Sequence, residues 1–173
     1  MYQREALRDY GQTPAQIKDS FLRAVEGFDQ VFSEVPRNKP WREDGWTALQ
    51  IQGHLIKTHE LGALILRVLE SNQPHHRLLH VVAAVQQRMS APRTITRLRA
   101  PKLVQLQASE SELAARWTST NQMFLKQLET SSLNGPRTFP HLYIGELTAL
   151  EWAQFMPYHL HHHLPQLLAL QEP

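Results

Sequence analysis

Two histidines near the C-terminal end have the spacing of a metal-binding pair. His159 and His163 are four residues apart in a segment whose apolar pattern predicts a helix. Each helical residue advances by about 100°, so the two imidazoles would lie one turn apart on the same face. Trp152 and Met156 continue this strip, which indicates that the face points into the protein. Two imidazoles placed in this way could bind one metal ion.

A third ligand has to come from another part of the chain, and His54 is the candidate. It is the single polar ring on the apolar strip of a second predicted helix, and helical bundles build metal sites from facing helices. Three protein ligands would leave one coordination position open, as in catalytic rather than structural zinc sites. A metal bound there would lower the pKa of a water molecule or polarise a substrate oxygen or thiolate.

Two further side chains lie beside the predicted pair. His162 and Gln166 are placed to orient the ligands or a substrate, whereas His161 points to the opposite side of the helix. Glu60 and Glu151 are the nearest helix carboxylates. By helical phase Glu60 lies far from the face of His54, and Glu151 is expected to cap the start of its own helix. The chain has no His-Glu-x-x-His motif. The sequence therefore assigns no general base and disfavours a peptidase.

Simpler interpretations of the same residues remain open. A histidine on a helix is often an ordinary hydrogen-bonded residue, and Pro157 and Pro165 flank the pair and would each remove an amide from the helix. His59 lies five residues beyond His54, on the wrong side for shared ligation, while His141 could reach the mouth of the site.

Two other groups of polar residues fall in the middle of the chain. We expect both to be solvated, although the basic group could also steer an anionic substrate. The groups are the histidines His75, His76 and His80 and the cations Arg93, Arg97, Arg99 and Lys102.

The helices that would hold these residues are marked by capping boxes, in which Ser or Thr precedes Glu or Gln by three residues. The four pairs are Thr13 with Gln16, Thr47 with Gln50, Ser109 with Glu112, and Thr148 with Glu151. The pattern predicts helices over about 14–34, 48–69, 110–128 and 148–170, with a short helix near 78–89, a crossover loop near 90–101 and at most a weak strand at 104–107. We therefore predict an all-α, four-helix bundle with a long crossover between helices 2 and 3, as one domain over 1–173.

Composition narrows the class of protein. The chain has 42% apolar and 20% charged residues, a net charge of +2 and no cysteine. This charge is too small for a nucleic-acid-binding surface, and disulfides and thiolate metal sites are excluded. Residues 1–12 have no apolar run, and no segment is long enough to span a bilayer. We expect a cytoplasmic protein without nucleic-acid or membrane partners.

Two stretches resemble the DinB/YfiT-like superfamily. Residues 46–55, WTALQIQGHL, resemble its second helix, and residues 144–166, IGELTALEWAQFMPYHLHHHLPQ, resemble its last helix with a Gly-x-Leu-Thr entry and a His-x-x-His-His-x-x-Gln ending. The second stretch is most similar to an uncharacterised DinB-like subgroup. The resemblance implies that His54, His159 and His163 bind nickel, zinc or iron, and it implies frequent homodimerisation.

Members of this superfamily include metal-dependent hydrolases and transferases or isomerases that use bacillithiol, mycothiol or glutathione. The resemblance thus implies a metal-dependent hydrolase or a low-molecular-weight-thiol-dependent transferase acting on a small-molecule substrate. The alternative is a non-catalytic bundle that binds a metal or small ligand and acts as a dimer. The fold does not choose between them.

Overall fold

Four helices begin at the predicted capping boxes. The computed structural model describes residues 3–40, 45–71, 106 and 108–171. In each capping box the Ser or Thr oxygen accepts the amide three residues later, and the Gln or Glu side chain accepts the amide of the cap. The helices are α1 (Pro14–Glu34), α2 (Ala48–Glu70), α3 (Glu110–Thr130) and α4 (Ala149–Leu168). The four predicted starts are confirmed, and the predicted ends lie close to the observed ones.

The helices pack so that α2 and α4 are neighbours. α2 contacts both α3 and α4, while α1 contacts α4 extensively and α3 to a smaller extent. Large aromatic side chains fill the centre, and Phe21, Phe28, Phe124 and Phe155 are all almost completely buried. Burying one side chain of this size contributes roughly 1.5–3 kcal/mol. α2 contributes apolar side chains to the same buried core as α4, and this shared core holds together the two helices that carry the histidines.

Two glycines on α2 allow close approach of neighbouring chain segments. A Cβ at Gly53 would lie 2.7 Å from the backbone oxygen of Leu106, and a Cβ at Gly62 would lie 2.7 Å from the Sδ of Met156. Both distances are shorter than carbon–oxygen or carbon–sulfur contact allows. Gly62 thus lets α4 approach α2 closely at Met156, on the strip that also carries His159.

α4 stays helical through both of its prolines. Pro157 and Pro165 lie inside the helix, where each lacks the amide that would bond to the carbonyl four residues earlier. The turn from His159 to His163 lies between the prolines and is helical. The spacing on which the metal-site prediction depends is therefore preserved.

A short β-hairpin leads directly into α4 and was not predicted. β1 (Thr138–His141) pairs antiparallel with β2 (Gly145–Thr148), with Phe139 opposite Leu147. Gly145 has φ of 96°, a conformation that favours glycine. Trp152 Nε1 donates to the carbonyl of Phe139 at 3.0 Å, which ties the hairpin to the first turns of α4.

The N-terminal segment forms a second feature that the sequence pattern did not indicate. A 3-10 helix (Glu5–Tyr10) packs on α4, and its Leu7 is completely buried. Arg4 makes a bidentate ion pair with Glu151, with Nε 2.6 Å from Oε1 and an NH2 group 2.8 Å from Oε2. The segment therefore packs on α4, and its ion pair with Glu151 contacts the first turn of that helix.

Several predictions lie outside the described residues. These are the short helix, the crossover loop, most of the weak strand, His75, His76, His80 and the group Arg93, Arg97, Arg99 and Lys102. In the part of the chain that is described, none of the helices has both the length and the apolar character needed to cross a membrane.

Candidate metal centre

The contact between α2 and α4 brings the three predicted histidines to one point. His54 Nε2 lies 3.1 Å from His159 Nε2, and His163 Nε2 lies 3.0 Å from the same atom. The three rings are 6%, 2% and 5% exposed, respectively. Residues distant in sequence thus present their ring nitrogens to a common, buried centre.

Gln166 fixes the tautomer of His163. Gln166 Oε1 can only accept a hydrogen bond, and it lies 3.0 Å from His163 Nδ1. Nδ1 therefore carries the proton, and His163 Nε2 presents its lone pair to the centre. The predicted orienting role of Gln166 has this geometric basis.

The contacts among the three Nε2 atoms favour a shared cation. His159 Nε2 can hold either one hydrogen or one lone pair, yet it faces both His54 Nε2 and the lone pair of His163. A single proton cannot turn both contacts into ordinary linear hydrogen bonds. A cation between the rings would use all three lone pairs at once.

The distances also fit one metal ion. Zinc binds imidazole nitrogen at about 2.0–2.1 Å, so nitrogens on one ion with bond angles of about 90–110° lie about 2.9–3.4 Å apart. The two measured separations, 3.0 and 3.1 Å, fall in this range. Candidate ligand atoms of the three residues all lie within 4.8 Å of one another. The residues present therefore fit a divalent metal.

Burial disfavours the charged form of two of the three histidines. It lowers the pKa of His159 well below 6.5, and the nearby His163 and His54 lower it further. Burial and then His54 also lower the pKa of His163, against the opposing hydrogen bond to Gln166. Neutral imidazole is the form that binds metal, so at pH 7 a metal ion would displace few protons from these two rings.

Aromatic rings flank the cluster on two sides. The Trp46 ring is nearly parallel to that of His163, with centroids 6.1 Å apart, and it lies 5.0 Å from His54. Phe155 stacks on His159 at 5.0 Å. These rings limit the access of water to the nitrogens, which strengthens electrostatic interactions there. Neither role was predicted from the sequence, although Trp46 lies within the second-helix motif.

The other predicted histidines separate into near and distant groups. The His162 ring centroid lies 5.2 Å from that of His163 and 6.4 Å from that of His159, so His162 is beside the cluster. His161 is exposed and its Nδ1 lies 3.1 Å from Tyr10 Oη, on the opposite side as predicted.

His141 is buried at the end of β1. Its Nδ1 accepts the backbone amides of Tyr143 and Ile144 at 3.2 and 3.3 Å, which leaves the ring proton on Nε2. Its ring lies 4.4 Å from that of Phe155, whose other neighbour is His159. The Phe155 ring therefore lies between His141 and the three-histidine cluster.

The two helix carboxylates have other partners. Glu151 accepts the amide of Thr148 at 2.9 Å and pairs with Arg4, as its predicted capping role requires. Glu60 bonds to Arg116. Burial would raise the pKa of Glu60, but hydrogen bonds from cations hold it below its usual value. Both carboxylates are committed to structural contacts.

The comparisons with known proteins agree with this architecture. A family model described as the DinB superfamily matches residues 8–167. The chain belongs to the DinB superfamily. The crystal structure of TT2238, described as a four-helix bundle protein, is similar with a TM-score of 0.64 and 22% identity over 91% of this chain and 99% of that one. This likeness confirms the predicted four-helix bundle as a fold. No curated protein matches the chain.

We expect Gln166→Leu to weaken metal binding by about 10–100-fold, because His163 loses the acceptor that fixes its tautomer. Gln166→Glu keeps an acceptor and should retain the affinity. Gln171→Leu is the matched control, since Gln171 bonds to Glu34 instead. Competition titrations with a chromophoric chelator measure all three. Unchanged affinity in Gln166→Leu would show that the tautomer is fixed in another way.

Proposed function

We propose that this DinB superfamily member is a metal-dependent enzyme that acts on a small-molecule substrate, either as a hydrolase or as a low-molecular-weight-thiol-dependent transferase. The observation that carries the proposal is the convergence of three buried Nε2 atoms from α2 and α4. Among the described residues the ligating group has three members, His54, His159 and His163. Three ligands leave a coordination position for water, thiol or substrate.

Each part of the site has a role in this proposal. The three imidazoles hold the metal, Gln166 keeps the His163 lone pair directed at it, and Trp46 excludes water from one side. His162, beside two of the ligand rings, contacts the substrate. When bound, the metal supplies a Lewis acid that lowers the pKa of a water or thiol or polarises a substrate oxygen.

The donor set narrows the choice of metal. Neutral imidazole nitrogens suit zinc, nickel and iron, whereas calcium and magnesium prefer oxygen ligands. We propose nickel, zinc or iron as the resident ion. Elemental analysis of untagged protein, purified without added metal, identifies which of them is present.

The test of the proposal joins metal content to turnover. Untagged protein should carry about one divalent ion per chain, and its activity on a panel of small electrophiles and esters should disappear with a chelator and return with the metal. Stoichiometric metal without chelator-sensitive turnover would contradict an enzymatic role. Absence of metal from protein incubated with each candidate ion would contradict the site itself.

Thiol dependence separates the two reactions. Consumption of an electrophile only when bacillithiol, mycothiol or glutathione is supplied supports the transferase. Product formation that needs no thiol supports the hydrolase. Running both assays on the same metal-loaded sample removes differences in metal content between them.

A non-catalytic, metal-binding bundle is the second candidate. Glu60 bonds to Arg116 and Glu151 pairs with Arg4. Neither carboxylate is therefore assigned as a general base, and this favours the non-catalytic candidate. This candidate predicts stoichiometric metal and no turnover.

We further propose that the protein is a cytoplasmic homodimer with neither nucleic-acid nor membrane partners. The small net charge of +2 supports the absence of a nucleic-acid partner. The dimer rests on the resemblance to the superfamily. Sedimentation equilibrium distinguishes a dimer from a monomer directly.

A further inference from the structure

A second buried polar pair joins α3 to α2, the helix that carries His54. His59 on α2 is completely buried, and its Nδ1 lies 2.8 Å from Asn121 Oδ1 on α3. Aromatic rings surround it, with centroids 5.1 Å away for Phe21 and 5.6 Å away for Trp117. By its spacing His59 cannot share a metal with His54, and the function proposed above does not use it.

The bond to Asn121 determines which nitrogen of His59 carries the proton. An amide oxygen only accepts, so His59 Nδ1 donates and Nε2 holds a lone pair. That Nε2 is buried and has no hydrogen-bond partner among the described residues. A buried acceptor left unsatisfied destabilises the folded state, and such atoms in native proteins usually bond to an internal water or serve a function.

The position of His59 connects this pair with one of the ligands. His59 lies five residues beyond His54 on the same helix, about 7.5 Å along the axis. Its bond to Asn121 therefore joins the helix that carries His54 to α3.

We propose that His59 Nε2 accepts a hydrogen bond from a buried water molecule, and that the His59–Asn121 pair positions His54 by fixing α2 against α3. The water needs no metal. The positioning role rests on the metal-binding function proposed above. Asn121 anchors His59 to α3, so that the orientation of His54 on α2 is tied to the helix that packs against α2.

The variants are chosen to separate positioning from folding. Replacing both partners, His59→Phe with Asn121→Leu, removes the polar pair without leaving an unpaired group, a change that is often close to neutral for stability. His59→Gln is the conservative variant, because its amide can donate to Asn121 and still offer an oxygen. Phe124→Leu is the control for disturbed packing, since Phe124 lies in the same aromatic cluster and has no polar atom.

Binding of Co²⁺, followed by its visible absorption, is the readout for positioning. We expect the double variant to bind Co²⁺ about 10–100-fold more weakly than the wild type, with a shifted spectrum. His59→Gln and Phe124→Leu should keep the wild-type spectrum. An unchanged affinity and spectrum in the double variant would overturn the positioning role, as would failure of the wild type to bind Co²⁺, which would also contradict the proposed function.

A high-resolution crystal structure of the metal-free protein tests the water independently. We expect an ordered water about 2.7–3.2 Å from His59 Nε2, and its loss in the double variant. Carbon atoms packed directly against Nε2 would overturn this part of the proposal, whatever the result with Co²⁺.

Discussion

Replacing His159 with alanine should abolish stoichiometric metal binding, whereas His161→Ala should leave it intact. His159 is the central ligand, because its Nε2 lies within 3.1 Å of the nitrogens of both His54 and His163. His161 is two residues away but contacts Tyr10 on the outside of α4. The loss in His159→Ala should exceed the roughly 10–100-fold expected for a group that only orients a ligand.

The measurement is metal content by elemental analysis, together with a Zn²⁺ titration of each variant. His54→Ala tests the same centre from α2 and should match His159→Ala, even though the two residues are on different helices. Circular dichroism on each sample establishes that the helices are retained. Equal losses from His159→Ala and His161→Ala would show that the ions bind to surface imidazoles rather than to the buried cluster.

Acid should unfold the metal-free protein over a narrow range, with stability lost as the pH falls from about 6.5 towards 4. Burial lowers the pKa of His59 and of His141 to about 4, whereas in the unfolded chain both titrate near 6.5. Between these values the unfolded state binds more protons, so it is favoured as the pH falls. At pH 4 each residue lowers the free energy of unfolding by about 3 kcal/mol relative to neutral pH. The two losses together approach the whole stability of a typical domain.

Urea denaturation in the presence of a chelator, at intervals from pH 7.5 to 4.5, measures this effect. His141→Phe fills a similar volume between Trp152 and Phe155 and removes one of the two groups. We expect the variant to lose less stability than the wild type between pH 6.5 and 4.5. A parallel decline of the two curves would mean that His141 does not titrate as its burial requires.

Local signals in the sequence account for most of what could be predicted. Each capping box satisfies its hydrogen bonds within four consecutive residues, so the helix starts could be located without knowledge of the packing. The spacing of His159 and His163 is likewise a property of one helix. Selecting His54 needed only its place on an apolar strip and the tendency of bundles to build sites from facing helices.

Features that depend on tertiary contacts could not be predicted in this way. Phe139 and Leu147 face each other in a hairpin of two four-residue strands, which is too short for its alternation to be distinctive. The His59–Asn121 bond joins residues 62 positions apart. His59 was considered only as a possible metal ligand, and it was set aside because it lies on the wrong side of the helix to share a metal with His54.

The separation of His54 and His159 by 105 residues gives a bound ion a role in folding as well as in chemistry. Such an ion would cross-link two distant parts of a chain that has no cysteine. It would thereby restrict the unfolded ensemble as a disulfide does. For a loop of about 100 residues the chain-entropy model gives on the order of 4–5 kcal/mol for a covalent link. Loading with metal would then raise the free energy of unfolding, and chelation would lower it.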